Sequence, residues 1–361
     1  MKSPHAIPIT LLFSLAPAVL AVPLASKPVA KISKEKRADF PAPVREIAPW
    51  YLARISAPNT DKSVYSLITD GYYYHDPRSG AGVDAYLIDG NVYPDHPDFG
   101  GRLSMMGDGA VTKGFVGHGT EIAGILGGSK FGVARRVNLL ACDITVYGIP
   151  GCLSKITARH LKVVAEKQAD PSTHQDFVGS VINISRGSKK SQFGEEVQDQ
   201  VDAIRDAIKA GIHIVVSAGN HANNACDYAP AGIQADVPEM IVVGATGKKE
   251  MTGEKDAQGV NEVTGYSNTG PCVDIYAPGS VINAPAKNDQ YNDNVTGTSA
   301  AAPIVAGVVA ELMVRHPELR GDPKKMKEFL LGRTSGPNAG RKGVIRGNAE
   351  LNFLYNGIHE N

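Results

Sequence analysis

The sequence of 361 residues is as notable for what it lacks as for what it holds. It carries no net charge, since 37 Lys plus Arg balance 37 Asp plus Glu. No overall field therefore draws it to nucleic acid or to an anionic membrane, and neither partner is expected. Beyond the first twenty residues no segment is long and apolar enough to span a bilayer. There is no internal repeat and no linker that would divide the chain. Cysteine is scarce, with only Cys142, Cys152, Cys226 and Cys272, and their spacing is not that of a zinc site. In a secreted chain four cysteines suggest two disulfides, with three connectivities open. What is plentiful is glycine, 39 residues against an average of roughly 7%, which suits a fold with many tight loops.

The N-terminus reads as an address. Lys2 precedes the stretch Ile7 to Leu20, which is too short and too broken by proline to cross a membrane, and Val19-Leu20-Ala21 offers small residues for cleavage. Residues 1–21 are therefore expected to be a signal peptide and the product to be secreted and extracellular. Residues 22–37 read as a short pro-segment or linker, in which Lys36-Arg37 is either a dibasic processing site or part of a solvated run. Residues 38–361 form the main domain.

Along that domain apolar segments alternate between the periods of strand and helix. Val83 to Ile88, Val137 to Ile144, Val178 to Ile184, Ile212 to Ser217 and Met240 to Val243 read as strands. Val197, Val201, Ile204 and Ile208 recur at helical spacing before Gly211, Ser154 is expected to cap a helix running through Val164, and Asp322-Pro323 to open a late one. This rhythm predicts an α/β fold with a mostly parallel central sheet and helices on both faces.

Four segments carry candidate chemistry. In Gly297-Thr298-Ser299 a serine stands where a glycine turn meets the apolar run from Ala300 to Met313, so its hydroxyl would sit at a helix N-terminus. A serine nucleophile needs a base and an orienting carboxylate. His118, in Gly117-His118-Gly119-Thr120, and Asp89, at the end of a predicted strand, supply both types. Asn220 follows another strand at Gly219, where its amide could donate to a developing oxyanion together with the Ser299 N–H. Taken singly, each has an ordinary structural explanation as a cap or turn former. The order Asp, His, Ser and the absence of a Gly-x-Ser-x-Gly elbow at Ser299 exclude an α/β-hydrolase pattern.

Together with Ala48-Pro49-Trp50-Tyr51, His96-Pro97-Asp98-Phe99 and Ser217-Ala218-Gly219-Asn220, these motifs resemble the subtilisin-like (S8) serine proteases, in particular their proteinase K-like branch. The similarity runs from about Ala48 to about Asn352. It implies the subtilisin-like three-layer fold and a secreted serine endopeptidase. It further implies Asp89, His118 and Ser299 as triad and Asn220 with Ser299 as oxyanion hole. Peptides and proteins would be the substrates, a monomer is expected, and no cofactor is required for catalysis. The family's bound structural calcium is implied as well, without an assignable ligand set. By the same resemblance Ser185, Arg186 and Gly187 match one substrate-binding strand, and Gly151, Cys152 and Leu153 the opposing one. The resemblance also implies a Cys226–Cys272 bridge, which would leave Cys142 with Cys152.

The pattern is departed from in places. Asp89 is followed by Gly90-Asn91 rather than by a hydroxyl residue and glycine, and Glu121, Ala300 and Ile304 replace commoner residues outside the triad. Resembling enzymes carry a folded inhibitory pro-domain, for which only Val22 to Arg37 stands here. These departures keep an alternative open, a catalytically weak peptide-binding protein of the same fold, and a third reading is a secreted esterase using the same triad. Arg186 occupies a position that is apolar in the resembling enzymes. Its guanidinium would either favour an acidic substrate group or lay its stem along the pocket with its head in water. Asn294-Val295-Thr296 is a glycosylation sequon, whereas Asn183-Ile184-Ser185 falls on a strand expected to be buried.

Overall fold

The computed structural model describes residues 41–57, 71–107, 117–247, 262–280, 282–286, 289–333, 342–344 and 350–358. The expected signal peptide and the segment to Arg37 lie outside them. In chain order the elements are β1 (Val44–Ile47), α1 (Trp50–Ser56), β2 (Tyr72–His75), β3 (Val83–Asp89), β4 (Leu103–Met105), α2 (His118–Gly127), β5 (Asn138–Asp143), α3 (Ile144–Ala169), β6 (Gly179–Ile184), β7 (Ser188–Lys189), α4 (Lys190–Phe193) and α5 (Glu196–Lys209). There follow β8 (His213–Ser217), β9 (Tyr228–Ala229), β10 (Ile241–Gly247), β11 (Glu262–Val263), β12 (Ile275–Pro278), β13 (Ile282–Pro285), β14 (Tyr291–Val295), α6 (Thr298–Arg315), α7 (Pro323–Gly332), β15 (Lys342–Val344) and β16 (Glu350–Asn352).

The central sheet runs β10-β8-β6-β3-β5-β4, with β12 beside β10 in parallel and the two-residue β11 antiparallel at the end of β10. All its other pairings are parallel. Because side chains alternate across a strand, each strand feeds two cores. Val83, Ala85 and Leu87 of β3 point into a core shared with α2 and α6, while Tyr86 and Ile88 join a second core with α3 and α5. Near-continuous apolar strands are what a sheet covered on both faces requires, so the three-layer α/β fold follows from the pattern.

α6 is apolar all round because it lies inside the larger core. Against the expectation that no later segment would qualify, it is long and apolar enough to cross a membrane by length and composition, and 89% of it is buried within the protein. α5 is the opposite case, burying Val201, Ile204 and Ala207 along one stripe. α3 departs from expectation. Asp143 caps it, its Oδ1 accepting the Thr145 N–H at 2.8 Å, and the chain kinks at Gly148 (φ 63, ψ 176) before Pro150. Ser154 is therefore not a cap. It sits inside the second helical piece, its hydroxyl donating to the Pro150 carbonyl at 3.0 Å. Glycine takes the left-handed backbone there, and proline fits the first turn that follows it.

Two disulfides brace the molecule. Cys142 at the end of β5 is joined to Cys152 in α3, and Cys226, after the β8 loop, to Cys272 ahead of β12.

Candidate active site

The parallel strands deliver their C-terminal ends to one edge of the sheet, where ligands of open α/β sheets gather. Asp89 ends β3, and its neighbour across the ladder on β5 is Asp143. The Asp89 carboxylate is buried, with 1% of its surface exposed. Its Oδ1 accepts the Gly90 N–H at 2.7 Å, and its Oδ2 lies 2.7 Å from His118 Nδ1. His118 opens α2, and glycine is what lets the helix start come so close. The Gly119 N–H donates to the Gly90 carbonyl at 3.0 Å, and a Cβ on Gly119 would stand 2.6 Å from that same oxygen. No other residue tolerates such an approach. The His118 side chain is 28% exposed, so one edge of the ring is bound to a buried carboxylate while the ring reaches solvent.

Ser299 lies in the first turn of α6 and is partly buried. Asn220, after β8, is exposed but held on one side. Its Oδ1 accepts from both the N–H and the hydroxyl of Thr298, each at 2.8 Å, and the Thr298 hydroxyl in turn accepts the Gly219 N–H at 3.1 Å. With its carbonyl so occupied, the Asn220 amide is left its NH₂ as the free end. Gly297 precedes the pair at φ 147 and carries no side chain. The point where a Cβ would stand on it lies 2.8 Å from Ser299 Oγ, 3.0 Å from Asn220 Nδ2 and 3.6 Å from the Ser299 N. A side chain on Gly297 would collide with the Ser299 hydroxyl and the Asn220 NH₂, so only glycine lets the two stand this close together.

Three contributors were not legible as such in the sequence. Thr298 fixes the Asn220 carbonyl. Asn268 is fully buried; its Oδ1 accepts from the N–H groups of His221 and Asn223, and its Nδ2 donates to the Ala218 carbonyl at 2.9 Å. It clamps the Asn220 loop on both sides. Its only sequence signal is an Asn before Thr269-Gly270, a common turn signature. Ser185 donates its hydroxyl to the Ser299 carbonyl at 2.9 Å and accepts from Asn183 Nδ2 at 2.9 Å. Its side chain is thereby committed to the serine turn rather than turned to a ligand.

The remaining expected site residues divide. A cavity of about 580 Å³ is lined by Gly90, Arg186, Gly187, Gly148 and Gly151, with Glu196 and Asp199 also in its lining. Gly151, Cys152 and Leu153 are helical rather than extended, and Cys152 and Leu153 are buried in the second core. A helical turn is not a strand edge, so the expected opposing strand is not formed by these three residues, which corrects the expectation. Gly151 and the Gly148 kink still line the same cavity as Arg186 and Gly187. Arg186 itself neither points into solvent alone nor into the cavity alone, for its Nε lies 3.4 Å from Asp89 Oδ1. Among the described residues no group of three or more His, Cys, Asp or Glu side chains could hold a metal ion, so the implied calcium has no such ligand set there. Asn294 is exposed on β14, whereas Asn183 is buried.

The described residues thus hold a buried carboxylate bonded to a histidine and, at the start of α6, a serine hydroxyl near the Asn220 amide, all on a doubly covered parallel sheet. The chain belongs to the subtilase family, whose model matches residues 80–350. It is 35% identical over 304 residues to subtilisin-like protease 8 of Trichophyton verrucosum, 79% of this chain and 56% of that protein. It is 33% identical to alkaline protease 2 of Aspergillus fumigatus over 80% of this chain and 56% of that one. The figures for the subtilisin-like serine protease Pen c 2 of Penicillium citrinum are 32%, 84% and 64%. The chain thus spans between about half and two thirds of the length of these relatives. A crystal structure of a cold adapted subtilisin-like serine proteinase matches with a TM-score of 0.63 at 28% identity, covering 86% of this chain and 99% of that one.

Proposed function

We propose that the protein is a secreted serine endopeptidase that hydrolyses peptide bonds through an acyl-enzyme. The observation that carries this function is that the Ser299 hydroxyl and the Asn220 NH₂ are held close together over Gly297, which carries no side chain to part them. A carbonyl attacked by Ser299 would develop its negative oxygen toward the Asn220 NH₂ and the Ser299 N–H, where preorganised donors lower the barrier most.

In this mechanism His118 takes the Ser299 proton as the hydroxyl attacks, and later returns it to the leaving amine. Asp89, bonded to Nδ1, fixes the ring tautomer and stabilises the imidazolium that forms. Water then resolves the acyl-enzyme by the same proton shuttle in reverse. The polypeptide would lie along the groove between Arg186-Gly187 and the Gly148 kink, read first through its backbone. Peptide and protein chains are the substrate class, and the N-terminal address sends the enzyme out of the cell.

Removal of the nucleophile tests this. Ser299→Ala deletes one oxygen from a partly buried position, so the protein should fold and melt as the wild type does while turnover of casein and of peptide anilides falls to background. Turnover that persists in the variant would overturn the assignment.

A further inference from the structure

We propose that Arg186 is a positioning residue for the Asp89 carboxylate, a long-range donor that holds Oδ1 so that Oδ2 stays in line with His118. The proposal rests on the reading that Asp89 orients His118. A buried carboxylate offers about four acceptor sites and is poorly restrained by one donor on the outer oxygen. Locally Asp89 has only the Gly90 N–H on Oδ1, because residue 90 carries no side chain. Asp143, its neighbour across β5, carries no donor, and its own Oδ1 is engaged by the N–H and hydroxyl of Thr145. The second donor comes from the other side. β6 pairs with β3 up to Ile184 opposite Ile88, so the chain leaving β6 passes over the end of β3, and Arg186 two residues on lays its Nε 3.4 Å from Oδ1. His118 and Arg186 are then the two cationic or titratable groups on this carboxylate, one on each oxygen.

A guanidinium suits the task because its N–H directions are fixed, unlike those of an ammonium. The head is 46% exposed and the contact is long, so its weight is that of a screened, charge-assisted bond. Arg186 also lines the cavity, and that second role would show itself differently. A groove wall alters affinity and side-chain preference, whereas a group acting through Asp89 alters the proton transfer at Ser299 for any acylating reagent.

The fold offers a built-in rescue. A Cβ on Gly90 would meet nothing nearer than Thr145 Cγ2 at 3.5 Å, with Asp143 Oδ1 at 3.8 Å, and the backbone there is outside the left-handed region, so Gly90→Ser fits and adds a rotatable hydroxyl next in the chain to Asp89. The experiment compares wild type, Arg186→Leu, Arg186→Met and Arg186→Leu/Gly90→Ser as full chains. It reads the rate of inactivation by diisopropyl fluorophosphate, too small to fill the groove, together with kcat and KM on a peptide anilide. Arg186→Leu and Arg186→Met should react and turn over about threefold to tenfold more slowly with KM within about twofold, and Gly90→Ser should restore most of the loss. Wild-type inactivation rates in both single variants with only KM altered, or a double variant no faster than Arg186→Leu, would overturn the proposal. Failure of the wild type itself to react would instead overturn the serine endopeptidase reading beneath it.

Discussion

The Ser299 side of the site and the Asp89 side are held by different kinds of contact. Around Ser299 the restraints are neutral and short: Thr298 on Asn220, Gly219 on Thr298, Asn268 on three backbone groups and Ser185 on the Ser299 carbonyl, at 2.8 to 3.1 Å. Around Asp89 they are charged and uneven: His118 and the Gly90 N–H at 2.7 Å, and a half-exposed Arg186 at 3.4 Å. Neutral hydrogen-bond networks hold geometry with little dependence on salt. A charged contact whose partner is half-exposed, as Arg186 is, is screened by salt. The Ser299 side is therefore held by short neutral bonds, and the Asp89 side by charge-assisted bonds that salt can weaken.

Breaking each side should separate them by size. Asp89→Asn keeps the shape but removes the charge that supports the imidazolium, and should lower kcat by about 10⁴-fold, a size borrowed from subtilisin and its analogues. Asn220→Ala removes one oxyanion donor and should lower it by only about 10² to 10³-fold, a range likewise measured in subtilisin. Both are read as kcat on a peptide anilide. Equal losses, or the reverse order, would mean that the two sides do not divide the work this way.

The disulfides brace the two sides unequally. Cys226–Cys272 closes 46 residues and ties down the chain after the Asn220 loop, whereas Cys142–Cys152 closes 10 beside the Asp89 edge. On the chain-entropy model the first contributes about 4 kcal/mol and the second about 3 kcal/mol. Urea midpoints of Cys226→Ala/Cys272→Ala and Cys142→Ala/Cys152→Ala should fall in that order, and the opposite order would place the greater restraint at the Asp89 edge.

A smaller effect lies beneath the Ser299 side. His213 on β8 is buried with neither ring nitrogen hydrogen-bonded, and burial pushes its pKa down to about 4, the repulsion of His160 adding to and Asp322 opposing that shift. The unfolded chain, near the ordinary value of about 6.5, takes up a proton that the folded one refuses. Stability should therefore fall as pH drops from about 6.5 to about 4, by about 3 kcal/mol in total. In His213→Leu that share of the slope should vanish from unfolding curves taken at pH 7 and pH 4. Parallel losses in the two proteins would show that His213 does not govern it.

The comparison also explains which parts of the site could be read from the residues alone. Asp89, His118, Asn220 and Ser299 stand at the ends of strongly patterned elements and beside glycines, so type, order and local turn chemistry expose them. The strands and the helix α5 were legible for the same reason, since period and burial agree along them. The supports were not. Arg186 and Asp89 are 97 residues apart, and Asn268 lies 47 and 45 residues from the N–H groups it receives. Such bonds depend on strand order, which no local pattern encodes. The displaced start of α3 has a local cause: Asp143 takes the place of Ser154 as cap because the Gly148 kink lets helix begin about three turns earlier than the apolar spacing suggests. Once the start moves, Gly151 to Leu153 pass from groove edge to helix.

The central claim is that Ser299 is a nucleophile activated by His118. Treating the purified full chain with a fluorophosphonate probe, then mapping the adduct by mass spectrometry, tests it most directly. The account predicts one adduct, on Ser299, which is lost in His118→Ala while circular dichroism and melting temperature stay unchanged. A folded wild-type protein that takes no label, or one labelled on another residue, would contradict it.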